Sequence, residues 1–178
     1  MVQLCAFIDV VRVVLISLLV ALTAAVASAQ STVFVVRHAE KEVNGSDSKD
    51  PALSDAGRAR AAALAQMLRD VPLSGIFASE FRRTQQTAQT IADAMGSKVT
   101  TVSAKETEQL VKQLGATRGH VLVVGHSNTL PEILTALGAT ERLRIDETEY
   151  DNLFIWTPAT KQLLRLHYAT AAANSQRD

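Results

Sequence analysis

The run Val33-Phe34-Val35-Val36 gives way at once to Arg37-His38-Ala39-Glu40. Four consecutive apolar residues leave no face for solvent, so the strand they predict must be covered on both sides. That requirement excludes a simple half-exposed antiparallel sheet and asks for helices above and below. Val121-Leu122-Val123-Val124 repeats the pattern and ends in Gly125-His126-Ser127. Parallel strands bring their carboxyl ends to one edge, where binding crevices form in open α/β sheets. The charged groups closing both runs are therefore expected to meet.

The rest of the chain fits this scheme. Strands are expected at Thr32–Val36, Gly75–Ser79, Val99–Val102 and Val121–Val124. Helices are expected between them. One opens at Ser54 as N-cap and carries Ala61, Leu64, Ala65 and Leu68 at helical spacing. Another runs from about Arg82 to Met95 and stops at Gly96. A third covers Glu108–Leu114 with Gly115 as its stop. The last has Pro131 in its first turn and Gly138 beyond its end. Leu153–Thr157 and Leu163–Tyr168 flank Pro158-Ala159-Thr160-Lys161 and predict an antiparallel C-terminal pair. The expected class is α/β, a three-layer arrangement with a mostly parallel sheet flanked by helices.

Residues 1–29 stand apart. The uncharged apolar run Val13–Val26 precedes Ala27-Ser28-Ala29, which together predict a secretory signal peptide cleaved after Ala29. The alternative is an uncleaved N-terminal anchor, which would be the chain's only membrane contact. Residues 30–178 are then a single domain, secreted or periplasmic. Cleavage removes Cys5, the only cysteine, which excludes disulfides and thiolate metal sites from the remainder. With 18 basic and 18 acidic residues the chain is a poor candidate for nucleic-acid binding.

A third strand end carries Ser79, followed by Arg82 and Arg83 at the start of a helix. Two histidines and an arginine or two, with helix N-termini aimed at the same place, make a site for an anion. Guanidinium forks match phosphoryl oxygens. A two-histidine metal site is the weaker reading of the same residues, since no carboxylate cluster accompanies them.

Four ordered motifs then carry a resemblance. Arg37-His38-Ala39-Glu40, Leu53-Ser54-Asp55-Ala56-Gly57, Ser79 through Arg83-Thr84-Gln85-Gln86-Thr87-Ala88, and Val124-Gly125-His126-Ser127 resemble the signatures of the histidine phosphatase superfamily. The resemblance implies a phosphoglycerate-mutase-like fold. It implies His38 as a nucleophile that becomes phosphohistidine, one of its ring nitrogens being held by an acceptor, expected to be a backbone carbonyl near Gly57. It implies Arg37, Arg83 and His126 around the phosphoryl oxygens, with His126 a third cation if protonated, and Arg82 a solvated neighbour.

The family often places a carboxylic acid after the third strand, which here implies Glu106 as general acid, with Glu108 and Glu149 as ordinary surface acids. Glu40 is expected to orient the loop. Ser127, with Asn128, lines the pocket or caps the following helix. Asn44 sits where many mutases of the family have an asparagine near the phosphate.

These expectations describe an extracytoplasmic phosphomonoesterase acting on a small phosphorylated substrate, with no cofactor and no metal. The alternatives are a phosphoglycerate-mutase-type phosphotransferase, phosphohistidine removal from proteins, and an inactive anion-binding module. Substrate choice is expected to lie in the loops Glu42–Pro51 and Thr140–Asp151.

Overall fold

The computed structural model describes residues 32–43 and 49–168, so the expected signal segment and Asn44 lie outside the described residues. Strict alternation along the strands decides which helix covers which face. In β1 (Val33–Arg37) every residue is buried. Val33 and Val35 face one way, together with Val121 and Val123 of β4 (His120–Gly125) and Phe77 of β2 (Leu73–Ala78). They pack against Leu110 and Leu114 of α3 (Thr107–Ala116) and Leu130, Ile133 and Leu134 of α4 (Thr129–Ala136).

Phe34 and Val36 face the other way with Ile76, Leu122 and Val124. Leu64 and Leu68 of α1 (Asp55–Leu68) and Ile91 and Ala92 of α2 (Arg82–Met95) cover them. The continuous apolar run thus feeds two cores. Each fully buried aliphatic side chain contributes on the order of 1.5–3 kcal/mol.

The sheet has six strands in the order β3-β2-β4-β1-β5-β6, where β3 is Val99–Thr101, β5 Asn152–Thr157 and β6 Gln162–His167. β1 pairs in parallel with β4, and β2 in parallel with both β3 and β4. β5 runs antiparallel to β1, and β6 antiparallel to β5. The chain is therefore a three-layer α/β fold with a mixed, mostly parallel sheet and the expected C-terminal pair.

Some boundaries differ from expectation. β2 begins two residues earlier, with a register shift between Leu73 and Gly75. Gly115 does not stop α3, because its φ is not positive and the helix continues to Ala116. Gly96 and Gly138 do adopt left-handed conformations beyond their helices, with φ of 62° and 103°. Ser54 caps α1, its hydroxyl accepting from the Gly57 amide at 3.1 Å.

Candidate active site

Adjacent strands deliver the site. Arg37 pairs with Gly125 across β1 and β4, and the His38 amide donates to the Gly125 carbonyl at 2.9 Å. Their side chains therefore leave the sheet side by side, and the rings of His38 and His126 lie 5.3 Å apart between centroids. β2, on the other side of β4, supplies Ser79, whose hydroxyl lies 2.8 Å from His126 Nε2. Arg83, in the first turn of α2, closes the group. Its Nε donates to His38 Nε2 at 3.2 Å and its Nη2 donates to His126 Nδ1 at 3.5 Å. Its guanidinium also rests 4.7 Å from the centre of the Phe81 ring. Arg82 is exposed, and its amide reaches Asp50 at the start of the same helix.

The α2 motif has a mechanical role as well. Thr87 Oγ1 accepts from the Ala39 amide at 3.1 Å, and Gln86 Oε1 accepts from the Leu53 amide at 2.7 Å. Thr84 bonds both the hydroxyl and the carbonyl of Ser79. One helix thus fixes the backbone after His38, the entry to α1 and the partner of His126.

His38 Nδ1 lies 2.7 Å from the Ala39 carbonyl. A carbonyl can only accept, so Nδ1 carries the proton and Nε2 presents a lone pair toward Arg83. This acceptor is a backbone carbonyl close to Gly57, where it was expected: the Glu40 nitrogen, to which the Ala39 carbonyl carbon is bonded, lies 3.0 Å from where a Gly57 Cβ would stand. A Cβ there would also collide with the Glu40 carbonyl, so only glycine lets α1 pack against the Arg37–Glu40 loop. Burial pushes the His38 imidazole down to about 3, with Arg37, His126 and Arg83 adding to the effect against the Ala39 bond. Burial first, then Arg83, pushes His126 down to about 4. Both rings are neutral near pH 7, so His126 is not by itself a third cation.

Arg37 is 2% exposed, and a buried guanidinium must find acceptors. Its Nη1 donates to the carbonyls of Asp146, Glu147 and Glu149 at 3.1, 2.8 and 3.1 Å. Nη2 pairs with the Glu147 carboxylate at 2.8 Å, and the Tyr150 ring lies 4.1 Å from the guanidinium carbon. Ser127 donates to the other oxygen of Glu147, so it lines this corner and does not cap α4. Arg37 thereby fastens the Asp146–Tyr150 loop over the edge of the site, and Nε is a buried nitrogen with no partner.

A cleft of about 290 Å³ opens beside Arg83 and His126 and is lined further by Glu80, Phe81, Lys105 and Asn128. Glu106 does not line it. The Glu106 amide closes a turn onto the Ser103 carbonyl, and the exposed side chain borders a separate depression with Glu108 and Glu132. The general-acid expectation for Glu106 is not met by this geometry.

The carboxylate that does reach the cleft is Glu80. It accepts from the Ala104 amide at 2.8 Å and from Ser103 at 3.4 Å, and these bonds hold it below the usual carboxylate range despite partial desolvation. Glu40 pairs with Arg60 at 2.7 Å, away from the histidines. Asp50 accepts from Arg83 at 3.4 Å. Among the described residues no three His, Cys, Asp or Glu side chains converge as a metal ion would need.

Asp50, Glu80, Glu147 and Tyr150 were not singled out as site residues from the sequence. Asp50, Glu147 and Tyr150 come from the two loops expected to govern substrate choice, and Glu80 from within the Ser79–Arg83 motif. No spacing rule marks them.

The model of the histidine phosphatase superfamily, branch 1, matches residues 33–111. That stretch, which carries three of the four motifs, resembles the histidine phosphatase superfamily. A probable phosphoglycerate mutase, GpmB of Yersinia enterocolitica, is 42% identical over 73 residues, covering 39% of this chain and 34% of that protein, so the match spans about a third of the relative's length.

Two solved phosphatases share the fold of this chain. The protein histidine phosphatase SixA, complexed with tungstate, aligns at a TM-score of 0.60 and 15% identity, over 81% of this chain and 99% of that one. A mycobacterial glucosyl-3-phosphoglycerate phosphatase, complexed with inorganic phosphate, aligns at 0.59 and 16%, over 79% and 98%.

Proposed function

We propose that this chain is a phosphatase that hydrolyses phosphorylated small molecules through a phosphohistidine on His38, without a metal. One observation carries the reading: a neutral imidazole with its proton fixed on Nδ1 and its Nε2 lone pair facing Arg83. The Nε2 lone pair forms the N–P bond as the bond from phosphorus to the leaving group breaks, and the leaving atom takes a proton from water. Water then attacks phosphorus, the N–P bond breaks, and inorganic phosphate departs with His38 back in its starting tautomer. The Ala39 carbonyl stabilises the positive ring that exists between the two steps. Arg83 gives its donors to the phosphoryl oxygens, and the dianion raises the proton affinity of His126 so that it too can donate.

Glu80 and Glu147, the carboxylates beside the site whose proton affinity is shifted, are both held ionised. Being held toward the ionised form disfavours either as a proton donor. This favours substrates whose leaving group departs with little help, such as aryl phosphates and N-phosphoryl compounds, over alkyl phosphates. The histidine phosphatase SixA named above is consistent with the N–P case.

Turnover of p-nitrophenyl phosphate, a phosphoramidate and an alkyl phosphate in EDTA tests these points together. Activity on the first two is expected to persist in chelator and to vanish in His38→Ala. Loss of activity in EDTA would end the metal-free reading, and equal rates on all three would end the leaving-group preference.

An extracytoplasmic location is part of the proposal and rests on Val13–Val26 and Ala27-Ser28-Ala29. An exported product whose N-terminal sequence begins at Gln30 supports it, and retention in the cytoplasm overturns it.

A further inference from the structure

Glu147 makes two bonds that a phosphoryl group would also make. One carboxylate oxygen accepts from Arg37 Nη2 at 2.8 Å and the other from the Ser127 hydroxyl. The side chain is nevertheless 77% exposed, so it stands at the mouth of the site. Arg37 does not need it for placement. Three backbone carbonyls already hold Nη1, and the Tyr150 ring lies against the guanidinium. What the carboxylate does occupy is the terminal nitrogen not bound to those carbonyls, together with the hydroxyl that follows His126.

We propose that Glu147 is an internal anion that occupies the Arg37–Ser127 corner and is displaced when phosphoryl oxygens bind there. This rests on the phosphatase reading, because it takes that corner to be part of the phosphate clamp. The Glu147 side chain is open to water and can leave when phosphoryl oxygens replace it as acceptors for the buried Arg37 Nη2. Its return after hydrolysis competes with the product phosphate for the same donors. Glu147 therefore lowers affinity for phosphate and helps empty the site between turnovers.

The test is calorimetric titration of inorganic phosphate into the wild-type protein and into Glu147→Gln and Glu147→Ala, paired with KM and kcat on p-nitrophenyl phosphate. Both variants are expected to bind phosphate about two- to fivefold more tightly, as the loss of an exposed ion-pair competitor implies. KM should fall with it, and kcat should fall where product release limits turnover. Weaker phosphate binding in both variants would mean that Glu147 positions Arg37, and unchanged binding would mean that the corner takes no phosphate. Either result overturns the inference while leaving the phosphatase reading intact. A wild-type protein that neither binds phosphate nor turns over ester would overturn that reading instead.

Discussion

At the scale of single residues, Arg83 joins the two histidines. Its Nε reaches His38 and its Nη2 reaches His126, a span that depends on a planar fork with donors on separate nitrogens. Arg83→Lys keeps the charge but offers one point of contact, so one histidine loses its partner. A drop in kcat/KM of about 10- to 100-fold is expected on p-nitrophenyl phosphate, with the melting temperature little changed. Wild-type kinetics in the lysine variant would show that charge alone suffices.

His38 and His126 were legible in the sequence because strand ends are fixed by pattern, whereas Arg83 was separated from Arg82 only by the family resemblance. Glu106 was implied only by the family resemblance, and the turn from Ser103 to Glu106 sets its side chain at another depression. Glu147 was invisible because nothing local in the sequence records that its loop folds back over Arg37.

At the scale of elements, the site depends on how closely α1 approaches the loop after β1. The Ser54 amide donates to the Glu40 carbonyl at 2.9 Å, and Gly57 lies against that same carbonyl. Gly57→Ala must push the helix or the loop aside. A methyl group forced into such a contact costs about 1–3 kcal/mol, more than the gain of under 1 kcal/mol that alanine brings to a helix interior. A lower urea midpoint is therefore expected, together with reduced activity, because Ala39 and its carbonyl sit in the shifted loop. A stabilised variant would show that the loop can yield freely.

The sequence predicted the elements around this contact well, since Val33–Val36 and Val121–Val124 left few choices and Ser54 marked the helix start. It placed the acceptor for His38 near Gly57, and the packed structure adds the reason: this glycine makes room for the Glu40 carbonyl, next to the accepting Ala39.

At the scale of the whole molecule, neutral buried histidines tie the stability of the fold to pH. In the unfolded chain a histidine takes up its proton near pH 6.5. In the folded chain His38 resists until about pH 3 and His126 until about pH 4. Below pH 6.5 the unfolded state therefore binds more protons, and stability falls as pH falls. The contribution is complete above pH 6.5 and is withdrawn progressively down to the folded-state values. Each unit of separation is worth about 1.4 kcal/mol, so acidification through both sites takes on the order of several kcal/mol from a total that is typically about 5–15 kcal/mol. Glu80 and Glu147, held below the usual carboxylate range, add their own loss only in more acid solution, below about pH 4.5. The window from pH 6.5 to about 5 thus isolates the histidines. Urea midpoints measured across it are expected to decline, and His126→Asn should flatten part of the slope. Saturating sulfate, whose charge does not change across this window, should flatten it further, since a bound dianion favours the charged imidazole and raises the folded-state affinity for protons. A midpoint constant from pH 6.5 to 5 would mean that both rings charge in place without penalty, and the neutral, lone-pair-bearing His38 would lose its physical basis.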